Sequence, residues 1–130
     1  MPKIISKYFT YEELTRTNTG LLNVPNAEQL KNLQELVTNV LDPLRELYGK
    51  PIKVNSAFRS TLVNKKVGGA KTSDHQFGMA ADLDCYSNSL LYKLIRDNFK
   101  FKQLINEHNF SWVHVSYDHD NLKCQQLTIK

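Results

Sequence analysis

Two histidines and one aspartate have the side-chain types of a catalytic metal centre. His75 and Asp82 lie in the segment Ser73–Asp82, and His114 lies further along the chain. Zinc sites need imidazole or carboxylate ligands that converge on one point, and a catalytic site leaves a position open for water. Gly78 allows the backbone to turn between His75, in a loop, and Asp82, in the next strand. These residues are therefore candidates for holding one divalent ion.

Alternation along two strands gives Asp82 and His114 a reason to share one face of a sheet. We predict strands over Ala80–Cys85 and Trp112–Tyr117. Side chains alternate between the two faces of a strand, so the aliphatic residues of both segments point one way and the polar ones the other. With the aliphatic residues in the core, pairing brings Asp82 and His114 within reach of one metal ion. Asp84, on the same face, either orients a ligand or is solvated.

A third strand, Phe101–Glu107, adds a carboxylate. With Leu104 inward, Glu107 lies on the opposite face, and a short turn at His108–Ser111 leads to the strand with His114. A metal ion lowers the pKa of water from about 15.7 toward roughly 7, and a neighbouring carboxylate can then take the proton, as peptide hydrolysis requires.

The elements that must position these residues begin with two helices. Thr10 and Glu13 have capping-box spacing before a short helix over about 11–16. A longer helix follows Asn26, with a kink expected at Pro43. Its apolar residues recur at steps of three and four: Leu30, Leu33, Leu36, Val37, Val40, Leu41, Leu44, Leu47 and Tyr48.

Beyond residue 50 the pattern favours short strands and short helices. We predict strands at Ile52–Asn55 and Cys124–Ile129, a helical turn at Thr61–Val67 and a helix at Leu90–Phe99. Helices followed by an antiparallel sheet indicate an α+β domain. We expect one domain over 1–130, with a helical part over about 1–50 and a metal-binding sheet part over about 51–130.

Composition narrows the class of partner. The net charge of +4 favours encounter with polyanions, but no basic stripe interleaved with aromatics indicates nucleic-acid binding.

No segment has the roughly 20 apolar residues of a membrane span, and we expect no signal peptide, so synthesis is expected in the cytoplasm. Cys85 and Cys124 are expected to be small buried hydrophobes.

Several motifs together resemble one family. Ser73-x-His75-x-x-Gly78-x-Ala80-x-Asp82 matches the signature of the zinc D-Ala-D-Ala carboxypeptidase and murein endopeptidase family, which shares its fold with Hedgehog domains. Trp112–Ser116 resembles the strand of the third ligand. Val54–Ser60 and Asn64–Gly69 also look like that family's motifs, and the N-terminal helices resemble those of small phage-type members.

The resemblance implies roles for individual residues. His75, Asp82 and His114 would be ligands to one zinc ion, although the donor types also suit other divalent ions. Arg59 would polarise the scissile carbonyl or bind a substrate carboxylate; the alternative is a surface ion pair. Ser73 and Trp112 are expected to contact substrate, and Trp112 otherwise packs beside the cleft.

The sequence position of the candidate general base differs from that in many members of this family. These place an acidic residue three positions before the last ligand, or a histidine two before it, where this chain has Ser111 and Trp112. Glu107 resembles the glutamate that related domains supply from the neighbouring strand. We predict Glu107 as the base; the alternatives are His108 and a site without a base.

The resemblance implies a zinc metallopeptidase that cuts bacterial peptidoglycan at terminal D-Ala-D-Ala, L-Ala-D-Glu or cross-bridge bonds. The alternative is a non-catalytic module of the same fold that binds cell wall or protein. We expect a monomer that acts as a phage or prophage endolysin and reaches the wall through a holin.

Overall fold

The computed structural model describes residues 3–130, which form a helical layer and a five-stranded sheet. The helices are α1 (Tyr11–Thr15), α2 (Ala27–Leu36), α3 (Asp42–Tyr48), α4 (Thr61–Lys66) and α5 (Asn88–Asn98), with a π turn (Val37–Leu41) and a 3₁₀ turn (Asp74–Phe77). The strands are β1 (Lys53–Ser56), β2 (Ala80–Asp84), β3 (Gln103–Glu107), β4 (Trp112–Ser116) and β5 (Gln125–Ile129). None of the helices in this range has the length and apolarity needed to cross a membrane. The α+β class is confirmed.

Helices α1 and α2 begin where the sequence predicts, because each start is fixed by reciprocal hydrogen bonds. The Thr10 hydroxyl accepts from the Glu13 amide at 3.1 Å, and the Glu13 carboxylate accepts from the Thr10 amide at 3.3 Å. Asn26 and Gln29 exchange the same pair of bonds at the start of α2, each at 2.8 Å. These bonds satisfy amides that have no partner in the first turn of a helix.

A π turn lies directly before Asp42 and Pro43, where the sequence predicts a kink. The Asp42 amide donates to the Val37 carbonyl, the wider spacing of a π turn. A proline has no amide hydrogen, and its ring crowds the carbonyl four residues earlier, so the wider turn gives the ring room. The apolar stripe stays continuous across the junction, and its fully buried members are Leu33, Leu36, Val37, Val40, Leu41 and Leu44.

The strand order is β1-β2-β4-β3-β5, and every neighbouring pair is antiparallel except β3 and β5. The expectation of a wholly antiparallel sheet is therefore wrong for β5. Both sides of β4 are already paired, with β2 and β3, and the chain crosses over to the outer edge of β3. It reaches that edge running in the direction of β3.

The predicted faces of the central strands are correct. Ala81, Leu83, Leu104, Val113 and Val115 are fully buried in the hydrophobic core. Successive side chains of a strand point to opposite faces of the sheet, so the residues that alternate with these buried ones point away from the core. Register then places Asp82 opposite His114 on β2 and β4, and Ile105 opposite His114 on β3 and β4.

The two cysteines lie at the margin of the core. Both are free and only half-buried, although each packs against the buried cluster. The expectation of buried hydrophobes was too strong, because Cys85 follows the end of β2 and Cys124 precedes the edge strand β5. At both places the covering layer is incomplete.

Candidate metal centre

The 3₁₀ turn that carries His75 is held from both sides. The Ser73 hydroxyl accepts a hydrogen bond from the His75 amide at 3.2 Å and so caps the turn. Gly78 ends it with φ of 74°, a left-handed conformation that favours glycine, and a Cβ there would collide with the carbonyl oxygen of Gln29 on α2. Close approach of α2 therefore depends on Gly78.

Two amide side chains of α2 bind the same turn. Gln29 Nε2 donates to the carbonyl of Gln76 at 3.0 Å, and Asn32 Nδ2 donates to the carbonyl of Phe77 at 2.9 Å. Helix α2 thus positions the turn that precedes β2.

The orientation of the His75 ring is set by the backbone. Its Nδ1 lies 2.6 Å from the Ala57 carbonyl oxygen, which can only accept, so Nδ1 carries the hydrogen and donates. The other ring nitrogen, Nε2, lies 3.3 Å from Asp82 Oδ2. The side chain is buried, at 3% exposure. A carboxylate facing Nε2 at this distance requires a proton or a metal ion between them.

Asp82 also contacts His114 across the sheet. Asp82 Oδ1 lies 2.9 Å from His114 Nδ1, and the two imidazole rings are 5.2 Å apart. Burial favours the neutral carboxyl group, but hydrogen bonds from His114 and His75, and their charge, outweigh it and hold the pKa of Asp82 well below its ordinary value. Asp82 is therefore ionised, as a metal ligand must be.

These three side chains fit one metal ion. Their ligand atoms all lie within 4.8 Å of one another, and all three residues are buried. Two imidazole nitrogens and a carboxylate oxygen are a donor set found in zinc sites that keep a position open. A second group in the described part of the chain, Asp118 with His119 and Asp120, is largely exposed. Within this second group, His119 Nδ1 lies 3.0 Å from Glu35 Oε2.

Arg59 is an ion-pair partner of the cluster itself. Its Nη2 donates to Asp82 Oδ2 at 3.2 Å, its Nε to Ser56 Oγ at 3.0 Å and its Nη1 to Asn64 Oδ1 at 3.4 Å. The side chain is only 17% exposed, so the alternative of a surface ion pair does not describe it. The Arg59 amide also donates to the His75 carbonyl at 3.0 Å.

The cluster opens into a cavity of about 540 Å³. The predicted ligands line this cavity together with every residue predicted to act on substrate: Arg59, Ser73, Glu107 and Trp112. Ser73 lies at the turn, where its hydroxyl already caps His75. The structure thus brings these residues to one place, and His108, the alternative base, lines the same cavity.

Glu107 and Trp112 form a cross-strand pair beside His114. The indole Nε1 of Trp112 donates to Glu107 Oε2 at 3.2 Å, and the imidazole of His108 lies 5.0 Å from a Trp112 ring. His108 is exposed and has φ of 49°, as its position in the turn requires. Glu107 is the more fixed of the two candidate bases, because its strand and its indole partner both hold it.

Asp84 does not orient a ligand. Its carboxylate accepts from Asn88 Nδ2 at 2.8 Å at the start of α5, so this carboxylate serves a helix instead. Asp84 is the last residue of β2, at the end away from the 3₁₀ turn, and its side chain contacts the start of α5.

Asn64 was missed by the sequence analysis. It is 3% exposed, accepts from Arg59 and donates to the Ala70 carbonyl at 2.9 Å. A Cβ on Gly69 would collide with its side chain. The signal was present, since Asn64 and Gly69 begin and end one of the motifs that carried the family resemblance.

Comparison with known proteins agrees with this arrangement. Residues 7–116 match a family model described as Peptidase M15. The zinc D-Ala-D-Ala carboxypeptidase of Streptomyces albus G is 43% identical to this chain over 77 residues, which cover 58% of this chain and 30% of the carboxypeptidase. The aligned part is thus under a third of that relative. Because the family model extends over most of the sequence, the chain belongs to the peptidase M15 family.

Proposed function

We propose that this protein is a zinc metallopeptidase that hydrolyses a peptide bond in the stem or cross-bridge of bacterial peptidoglycan. The observation that carries the proposal is the buried His75–Asp82–His114 cluster, which opens into a cavity also lined by Arg59 and Glu107. Family membership supports the peptidase activity. The likeness to a zinc D-Ala-D-Ala carboxypeptidase supports both the metal and the class of substrate.

His75, Asp82 and His114 would hold the ion, through His75 Nε2, His114 Nδ1 and the carboxylate. A zinc ion at such a site supplies Lewis acidity to a substrate carbonyl and to water. The bond from His75 Nδ1 to Ala57 keeps Nε2 turned toward the cluster. The ionised Asp82 carboxylate balances part of the positive charge of the site.

Arg59 is suited to bind the substrate carbonyl or a nearby carboxylate. A guanidinium has five N–H donors. Three of those of Arg59 are used, because Ser56, Asn64 and Asp82 each accept one hydrogen bond from it. These bonds fix the plane of the side chain, and the remaining N–H groups stay available at the cavity. Fixed donors stabilise developing negative charge without reorganisation.

Glu107 acts as general base and then as general acid in this proposal. Its carboxylate takes a proton from the attacking water and returns it to the leaving amine. Trp112 supports this role, because its indole binds one carboxylate oxygen and orients the other.

The test is metal-dependent release of peptide from purified sacculi. The protein is stripped of metal with a chelator, reloaded with Zn²⁺ or another divalent ion, and incubated with sacculi, and the muropeptides are identified by mass spectrometry. We expect zinc to restore release, and the new termini identify the bond cut. His114→Ala, which lacks one donor, is expected to release nothing.

A protein that binds zinc and sacculi but releases no peptide would overturn the proposal. That result would favour a non-catalytic wall-binding module, particularly if Glu107→Ala bound sacculi as the unaltered protein does.

We also propose a lytic role in a phage or prophage, supported by the resemblance of the N-terminal helices to those of small phage-type members. Export of the chain to the periplasm of a test bacterium is expected to lyse the cells, whereas His114→Ala exported at the same level is not. Intact cells despite cleavage of their sacculi would contradict the lytic role and leave the peptidase activity standing.

A further inference from the structure

A second cavity adjoins the metal cavity on the other side of Arg59. It has a volume of about 400 Å³ and lies between the end of α1, strand β1 and helix α4. Arg59 and Val67 line both cavities, so a ligand in one lies next to a ligand in the other. Nothing in the proposed chemistry uses this second space.

The lining of the second cavity is cationic. Arg16, Lys53 and Arg59 line it, and no aspartate or glutamate does. Arg59 is engaged with Asp82, but Arg16 and Lys53 form no ion pair with any carboxylate of residues 3–130. Two positive side chains without an internal partner thus share one concave surface and favour an anionic ligand.

The cavity also runs along a free sheet edge. All four residues of β1 line it, and because neighbouring side chains point to opposite faces, the cavity lies along the strand's outer edge. β1 is the terminal strand of the sheet, and the register with β2 shifts between Val54 and Ser56, which leaves Asn55 without a partner. An extended peptide can hydrogen-bond to such an edge.

We propose that the second cavity is a subsite for a carboxylate that the peptide substrate carries away from the bond that is cut. Arg16 and Lys53 bind this carboxylate, and the peptide passes over Arg59 into the metal cavity. This inference rests on the proposed function. It assigns to Arg16 and Lys53 the recognition of an acidic peptide, whereas the metal cluster and Glu107 act on the bond itself.

The test compares stem peptides, both single and cross-linked, in which each free carboxylate in turn is replaced by a carboxamide. We expect one replacement remote from the cut to raise KM about ten-fold in the unaltered protein with little change in kcat, because remote charge-assisted bonds act on binding. In Arg16→Gln/Lys53→Gln this peptide and its acidic parent are expected to be cut at equal rates.

A matched control removes the same charge elsewhere. Lys66 and Lys100 are exposed and line neither cavity, so Lys66→Gln/Lys100→Gln should keep the discrimination of the unaltered protein. Thermal unfolding of both double variants checks that each is folded.

The outcomes separate the subsite from the function. If the unaltered protein cuts no peptide of the series, the proposed function fails. If it cuts them and the discrimination is the same in Arg16→Gln/Lys53→Gln, the subsite is wrong and the function stands. A defect of the double variant confined to sacculi that retain phosphate polymers would assign the cavity to those polymers and overturn the proposal.

Discussion

Asp82 makes three contacts at once, with His75 Nε2, His114 Nδ1 and Arg59 Nη2. Both carboxylate oxygens are therefore engaged, Oδ1 by His114 and Oδ2 by His75 and Arg59. All three partners interact with the negative charge of this one group. An amide of the same shape would keep the volume but lose the charge and one acceptor oxygen.

Asp82→Asn is expected to lower affinity for Zn²⁺ by more than about 100-fold, because removing residues that merely support a ligand already costs up to that much. Titration with zinc against a competing chelator measures the change. Asp84→Asn is the matched control, since this carboxylate on the same strand bonds Asn88 and should leave zinc affinity unchanged. Equal affinities in the two variants would remove Asp82 from the ligand set.

Glu107 and His108 are neighbours with different supports, and one experiment separates them. Glu107→Gln is expected to lower kcat by about 10²- to 10⁴-fold, the range for loss of a general base, with zinc content unchanged. His108→Ala is expected to lower kcat much less, because His108 is exposed in the turn. Release of peptide from sacculi by zinc-loaded proteins gives both rates. The reverse ranking would make His108 the base.

At the scale of elements, the 3₁₀ turn is fixed by its contact with α2. Gly78 permits that contact, and the side chains of Gln29 and Asn32 bind the carbonyls of the turn. The position of His75 is therefore set by a helix far from it in sequence.

Gly78→Ala is expected to lower the free energy of unfolding by about 2–5 kcal/mol, since a strained left-handed alanine adds to a collision with the Gln29 carbonyl. Gly20→Ala is the matched control: its φ is 76°, but nothing lies within 4 Å of the added Cβ. Gly20→Ala should lower the free energy of unfolding only by the cost of a left-handed alanine, about 1–2 kcal/mol. Urea unfolding measures both, and equal losses would mean that the close approach to α2 carries no energy.

Elements whose signals are local could be predicted from the sequence. The capping pairs fixed the starts of α1 and α2, and strand alternation placed Asp82 and His114 on one face, where register makes them direct partners. The parallel pairing of β5 could not be predicted, because it depends on which of the two free sheet edges, that of β1 or that of β3, the chain reaches after β4.

The residues that support the site were harder to predict than its donors. Asn64 acts through Arg59, and Ala57 acts through a backbone carbonyl, so side-chain type alone marked neither of them. The cluster itself was predictable, since its donors have distinctive chemistry and spacing.

At the scale of the whole molecule, one face of the sheet forms the core and the other carries the candidate site. One face packs against the helices and supplies the core, whereas the cluster, Glu107 and Arg59 line a cavity on the other side. Two members of the cluster, Asp82 and His114, lie on the inner strands β2 and β4, which are paired with a neighbouring strand on both sides. Substrate can therefore approach without disturbing the core.

The three candidate donors come from the 3₁₀ turn, β2 and β4, which are separate stretches of the chain. In the unfolded chain, closing the long loop between Asp82 and His114 would cost entropy, so an ion that needs all three donors binds chiefly the folded state. We expect Zn²⁺ at 100 times its Kd to raise the free energy of unfolding by about 2.7 kcal/mol.

Thermal unfolding with and without Zn²⁺ measures this gain, and Asp82→Asn should show little of it. An unfolding temperature that zinc leaves unchanged in the unaltered protein would contradict a site built from all three donors. The metal centre is then also a reversible cross-link of the fold, one whose strength follows the zinc concentration around the protein.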